Sequence, residues 1–261
     1  MKFISILGYD RSGTTFLGSY LNHINGDIFY AGEIDKGIRI FFSGSNKKCT
    51  CGNIYAECPV WGKIFPFLDP DNIDLEFISN KIFELTGASV IVDSSKSFKY
   101  IRKFKKHFKG RYLSIHLKRN PKAVILSRMN LRKRRVNKGT HPKPYIAKKY
   151  NLMMIFDSLE WCYENIWFEK FKDEDTNLDL TYDFFGSELP SKILKFLEIN
   201  NLDQLGNEKV VNHIVFGNKG RLNFRWKVEI NHTWKNDLNK FQKLSVDLFT
   251  YPTRRIYNYS F

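Results

Sequence analysis

The chain begins with an apolar, β-rich run, Lys2–Leu7. Gly8-Tyr9-Asp10-Arg11-Ser12-Gly13-Thr14-Thr15 follows at once, and then a helical pattern, Thr14–His23, with Phe16, Leu17, Tyr20 and Leu21 on one face. A strand, a G-x-x-x-x-G turn and a helix in that order constrain the fold more than any other feature of the sequence. They describe a buried strand whose turn presents backbone N–H groups at a helix N-terminus. Such a terminus, backed by the helix dipole, attracts an anion. Thr14 stands where the nucleotide-hydrolase motif carries the lysine that reaches the outer phosphates. The turn therefore suits a nucleotide with a short 5′ anionic chain. Arg11 adds a cation, and Ser12, Thr14 and Thr15 add hydroxyls.

The elements after this turn alternate. Short strands are expected at Ile28–Tyr30, Ser89–Val92, Tyr112–Leu117 and Thr176–Tyr182. Helices are expected at Leu75–Thr86, at Ser97–Phe108, from Pro121 through Ser127 into Arg132–Arg135, at Ala147–Lys172, at Glu188–Leu197 and near Leu238–Phe249. Asn120 is a good N-cap and Pro121 suits the first helical position. Leu152, Ile155, Phe156, Leu159, Tyr163, Ile166 and Trp167 read as the apolar stripe of the long helix, with Cys162 beside them as core. Residues 35–70 and 136–145 read as irregular. The alternation predicts an α/β fold of the P-loop type in three layers, a central, mostly parallel sheet flanked by helices. Residues 1–261 are read as one domain, with insertions near 35–70 and 130–150 shaping an acceptor site. Ligands of such sheets bind at the carboxyl ends of the strands. This directs attention to Gly8–Thr15, Asp93–Lys96 and Lys118–Asn120.

Composition narrows the partner. Of 261 residues, 42 are Lys or Arg and 27 are Asp or Glu, a net charge of +15. That balance calls for an anionic partner: nucleic acid, an anionic membrane surface, or a phosphorylated or sulfated small molecule. Aromatics do not interleave with the basic run as a nucleic-acid platform requires, so a nucleic-acid partner is not expected. No apolar run is long enough for a membrane span and Phe3–Leu7 is too short for a signal peptide, so a cytoplasmic location is expected.

Arg119 lies at the end of the strand Tyr112–Leu117, and Ser127 two turns into the next helix. Arg119-Asn120-Pro121 followed by Ser127, together with Arg11-Ser12-Gly13-Thr14-Thr15, resembles the sulfotransferases that use 3′-phosphoadenosine 5′-phosphosulfate (PAPS). Cys49-Thr50-Cys51-Gly52 with Glu57-Cys58-Pro59-Val60-Trp61, Val92-Asp93-Ser94-Ser95-Lys96 and Gly217-Asn218-Lys219-Gly220-Arg221 look like the bacterial branch of that family and extend the resemblance to about residue 225. It implies that Arg11, Ser12, Gly13, Thr14 and Thr15 hold the 5′ end of PAPS. It implies also that Arg119 and Ser127 hold the 3′-phosphate, with Lys219, Gly220 and Arg221 closing over it. The implied reaction moves a sulfonate to an acceptor hydroxyl or amine, a carbohydrate or glycolipid being the favoured acceptor class, and leaves adenosine 3′,5′-diphosphate (PAP).

Such a transfer needs a base and a cationic environment for the charge that builds on the leaving group. Glu33, just after the strand Ile28–Tyr30, is the candidate base. Arg11 and Lys96 are candidates for charge stabilisation, Lys96 equally reading as a solvated lysine. His116 falls in an apolar strand and reads as core, and His23 has no evident partner. The chemistry requires no metal. Cys49, Cys51 and Cys58 lack a clear fourth ligand for zinc, and a disulfide or simple packing near Trp61 accounts for them better. Arg132–Arg135 reads either as a contact for an anionic acceptor, including peripheral contact with an anionic membrane, or as a solvated helix end. Two other readings remain: a P-loop nucleotide kinase, disfavoured by the missing lysine, and a non-catalytic basic module that binds nucleic acid or membrane.

Overall fold

The computed structural model describes residues 1–185, 189–198, 212–217 and 232–259. In chain order the elements are β1 (Lys2–Leu7), α1 (Thr14–Ile24), β2 (Ile28–Gly32), α2 (Ile34–Phe42), α3 (Leu75–Thr86), β3 (Val90–Asp93), α4 (Phe98–His107) and β4 (Tyr112–Lys118). They continue with α5 (Pro121–Asn137), α6 (Pro144–Ala147), α7 (Tyr150–Phe171), β5 (Asn177–Thr181), α8 (Leu189–Leu197), α9 (Trp234–Asp237) and α10 (Lys240–Ile256). The strands form one sheet in the order β2-β3-β1-β4-β5, and every pairing is parallel. The α/β expectation holds, and the sheet is parallel throughout.

The alternation of β1 sorts the two faces. Phe3 joins a core built with α2, α3 and α4, where it stacks on Phe104 and Phe108 at centroid distances of 4.0 and 4.9 Å. Ile4 and Ile6 join the opposite core, with α1 and α8. Helices α5, α7 and α10 pack together around Ile125, Met129, Met154 and Val246. Helices thus cover both faces of a sheet that parallel pairing leaves with no solvated side.

Three sequence expectations shift. Residues 35–70 begin with a regular helix, α2. Gly37 disguises it by propensity, yet a Cβ there would lie 2.7 Å from Val215, so the glycine serves close packing. The C-terminal helix passes through Pro252 to Ile256. The third shift concerns α7, which starts at Tyr150 after a separate turn of helix, α6. Leu152, Phe156, Leu159 and Tyr163 of the expected apolar stripe are exposed, and Cys162 is half-buried. The buried face carries Met154, Asp157, Ser158, Trp161, Asn165 and Phe168. Its polar members have partners: Asp157 takes Arg128 and Arg132, and Asn165 Oδ1 lies 3.2 Å from His116 Nε2.

The turn after β1 depends on Gly13, at φ 98°. Its absent side chain is also a packing requirement, because a Cβ would lie 2.5 Å from the Tyr182 ring. Gly13→Ala should therefore destabilise the protein by about 1–3 kcal/mol, from left-handed backbone strain and displacement of Tyr182. Urea unfolding of both proteins measures this; an unchanged midpoint would refute it.

Candidate active site

The strand order lines up the motifs. From one edge to the other, the carboxyl ends carry Glu33 (β2), Asp93–Lys96 (β3), Gly8–Thr15 (β1), Arg119 (β4) and Tyr182–Asp183 (β5). The chain changes direction across the sheet at β1, where a parallel sheet of this kind opens its binding crevice.

The turn after β1 is ordered from within and from both sides. Ser12 N donates to Tyr9 O at 3.0 Å, and Leu17 N to Gly13 O at 3.0 Å. Arg11 has φ 74°, a left-handed conformation uncommon for a residue with a Cβ. Its Nε donates to Ser127 Oγ on α5 at 2.9 Å, and its carbonyl accepts from Arg119 Nη1 at 2.8 Å. The two motifs, more than a hundred residues apart in sequence, are thus joined by direct hydrogen bonds. Arg119 lies over the Tyr182 ring at 4.4 Å, and Gly13 leaves room for that ring.

On the other side of β1, Lys96 Nζ donates to Thr14 Oγ1 at 3.1 Å and to Gly8 O at 3.4 Å. A lysine from the end of β3 therefore reaches the loop whose own lysine position holds Thr14. The Asp93 carboxylate organises this corner: Oδ1 accepts from Ile34 N at 3.0 Å and Ser95 Oγ at 2.9 Å, and Oδ2 from Ser95 N at 2.8 Å. These bonds tie the start of α2 to the end of β3. Asp93 is fully enclosed, and burial pushes its carboxyl up to about 8, against the donors that favour the charged form.

Glu33 caps the start of α2, after a register shift between Tyr30 and Gly32. It is 5% exposed, and its Oε2 pairs with Lys36 Nζ at 2.5 Å. Glu33 N donates to Phe216 O at 3.2 Å, and Val215 N to Ala31 O at 3.0 Å, so residues 212–217 run past the end of β2. Gly217 ends that segment against Thr15, where a Cβ would lie 3.1 Å from Oγ1. Lys219, Gly220 and Arg221 lie outside the described residues.

Beside the Arg119–Ser127 pair is a cavity of about 480 Å³, whose walls include Asn130, Lys133, Arg134 and Trp234. Two buried donors there, Arg119 Nε and Trp234 Nε1, have no hydrogen-bond partner among the described residues. Burial lowers the Arg119 guanidinium from its ordinary value. It lowers Arg11 also, with Asp10 opposing and Arg119, Arg134 and Arg128 adding repulsion. Buried cations with open donors favour an anion.

Lys36, Trp234 and Glu164 escaped the sequence reading, and the basic run named there resolves into two parts. The basic run Arg132–Arg135 divides: Arg132 is neutralised by Asp157, whereas Lys133 and Arg134 face the cavity. Helical spacing from Ser127 carried that signal. Lys36 is one turn beyond Glu33. Trp234 and Glu164 are distant in sequence and gave no local signal. Burial raises the Glu164 carboxyl to about 7, and the charges of Lys96 and Arg128 oppose that shift. His116 is fully enclosed between Asn165 and Glu169, at home in the core as expected. His23 does have a partner, with its Nδ1 2.6 Å from Ser19 O. No helix among the described residues is long and apolar enough to cross a membrane.

No protein-family model and no curated protein matches the chain. Solved structures do. The sulfotransferase domain of the curacin biosynthetic pathway superposes with a TM-score of 0.66 at 15% identity, over 98% of this chain and 97% of that one. The sulfotransferase domain of the Synechococcus PCC 7002 olefin synthase gives 0.62 at 17%, over 99% and 95%. Mouse sulfotransferase SULT7A1, crystallised with PAP, gives 0.59 at 14%, over 97% and 84%. The chain has the fold of these sulfotransferases across nearly its whole length.

The Asp93 carboxyl gives a signed prediction. Its folded value of about 8 exceeds the ordinary 3.8. Between these values the folded chain holds a proton that the unfolded chain has released, so this group's contribution to stability falls as pH rises through that window. Asp93→Asn should flatten the loss of urea stability between pH 5 and pH 8 relative to the unsubstituted protein. Parallel curves for the two proteins would contradict it.

Proposed function

We propose that the protein is a PAPS-dependent sulfotransferase that moves a sulfonate group to an acceptor hydroxyl or amine. The observation that carries this reading is the direct bonding of Arg11 to Ser127 and of Arg119 to the Arg11 carbonyl, beside a cationic cavity with open donors. One continuous surface then offers a 5′ anion site at the β1 turn and a 3′ anion site at the β4 end. A nucleotide with phosphates on both ends matches that spacing of charge, and the fold is that of sulfotransferases.

In this reading, the N–H groups of Arg11–Thr15 and the hydroxyls of Thr14 and Thr15 bind the 5′ phosphosulfate. Arg119 and Ser127 bind the 3′-phosphate, with Lys133 and Arg134 adding charge. Lys219, Gly220 and Arg221 are proposed to close over that end. Trp234 offers an aromatic face in the same cavity for the base.

The reaction is an in-line displacement. The acceptor oxygen or nitrogen forms a bond to sulfur as the bond from sulfur to the 5′-phosphate oxygen breaks. The acceptor proton passes to the Glu33 carboxylate, whose place Lys36 fixes. Arg11 and Lys96 stabilise the negative charge that builds on the sulfonate and leaving oxygens. No metal enters this chemistry. A carbohydrate or glycolipid hydroxyl is the acceptor class we favour. A cytoplasmic enzyme working on a small-molecule or glycan acceptor, in contact with anionic membrane where the acceptor is a lipid, fits the charge of +15.

PAP release from PAPS in the presence of sugar and phenol acceptors tests the assignment. Glu33→Gln should lower kcat by about 10²–10⁴-fold, the usual span for a general base, and leave PAP affinity unchanged. Lys96→Ala should lower kcat too. Full activity in Glu33→Gln with collapse in Glu164→Gln would move the base to α7.

A further inference from the structure

Three cysteines of the insertion between α2 and α3 meet a histidine from a distant part of the chain. Cys49, Cys51 and Cys58 and His213 each offer one ligand atom, and the four atoms lie within 4.8 Å of one another. The sequence spacing had supplied three thiols and no fourth donor; His213 is that donor, 155 residues beyond Cys58. We propose that Cys49, Cys51, Cys58 and His213 form a structural zinc site that clamps residues 212–217 onto the insertion. The proposal does not rest on the catalytic reading.

Two edges at Cys58 are close to those of a tetrahedral site. With Zn–S about 2.3 Å and Zn–N about 2.1 Å, a regular site has S···S edges of about 3.8 Å and S···N edges of about 3.6 Å. Cys51 Sγ and Cys58 Sγ are 3.8 Å apart, and Cys58 Sγ and His213 Nδ1 are 3.3 Å apart. All three cysteines are free thiols in the structure. Three thiolates and one neutral imidazole make a full, closed set, with no position left for water, as a structural zinc requires.

Hydrogen bonds around the cluster fix the ligand residues in place. Cys49 N donates to Asn53 O at 2.9 Å and Gly52 N to Cys49 O at 3.1 Å, closing a tight turn on Gly52 at φ 95°. Lys48 and Ile54 flank it as an antiparallel bridge. Thr50 Oγ1 donates to Asn212 O at 2.5 Å and accepts from Ile214 N at 2.8 Å, so the residues on either side of His213 are fastened to the residue between Cys49 and Cys51. Trp61 Nε1 donates to His213 O. Cys49, Cys58 and Trp61 are buried. This degree of positioning exceeds what packing of three thiols requires.

The location gives the site a purpose. The clamped segment runs on to Phe216, whose carbonyl takes Glu33 N, and to Gly217 against Thr15. The ion would tie the candidate base and the anion loop to the insertion through six residues of chain.

The test is metal analysis of full-length protein, purified without immobilised metal and in reductant. We expect about one zinc per chain, bound through deprotonated thiols and released by a mercurial thiol reagent. Cys162→Ser should retain the zinc. His213→Ala and Cys51→Ser should lose it, and His213→Cys should keep it. Cobalt substitution should give the intense visible bands of tetrahedral cobalt thiolate. The unsubstituted protein needs no variant to fold. Substoichiometric zinc after reduction and reloading would overturn the proposal, as would an intact mass two hydrogens lighter with a Cys51–Cys58 disulfide. PAP binding is read separately, so either result leaves the catalytic reading to its own test.

Discussion

The arrangement of the crevice depends on a concentration of positive charge that the protein only partly neutralises. Arg11, Arg119 and Lys96 gather at adjacent strand ends, and Lys133 and Arg134 face the cavity beside them from the C-terminal half of α5. Acids on α7 take up the neighbouring cations: Asp157 binds Arg128 and Arg132, and Glu160 binds Arg128. Arg119 is left with a buried open donor and an aromatic ring beneath it. Exposed charges at such separations would be softened by water. Here burial lowers the arginines from their ordinary values, so an anion gains more on entering than it would at the surface.

This demand explains features that packing alone leaves odd. Helix α7 buries Asp157, Ser158 and Asn165 and exposes Leu152, Phe156, Leu159 and Tyr163. Its inward face is spent on holding arginines and His116 in place. Gly13 combines a left-handed turn with room for Tyr182, and Tyr182 carries Arg119. A single missing Cβ thereby couples the turn after β1 to the end of β4.

What could be read in the sequence was local. The strand–turn–helix at residues 2–23 and the Arg119–Ser127 run announce themselves by spacing within a few turns, and the parallel sheet follows from strand–helix alternation. Glu33 and Lys96 could be singled out as candidates because they stand directly after strands. Contacts made at long sequence separation left no mark. His213 beside Cys58, Trp234 in one cavity with Arg119 and the burial of Glu164 all arise from tertiary packing. The α7 stripe misled for a related reason: periodicity identifies an apolar face, and a polar network with charged partners can outcompete it for the interior. Gly37 hid α2 because a propensity cost was offset by close approach to Val215.

In the PAPS reading the two anion sites act on one nucleotide. Calorimetric titration with adenosine 3′,5′-diphosphate, with ADP and ATP in parallel, tests it most directly. Tight binding of the diphosphate, weak binding of ADP and loss of the difference between them in Arg119→Ala are expected, since in this reading only the 3′-phosphate engages Arg119. A charge-assisted hydrogen bond of this kind contributes about 1.5–3 kcal/mol, or roughly 10- to 150-fold in affinity. ATP binding as tightly as the diphosphate, or an Arg119→Ala variant with unchanged selectivity, would contradict it.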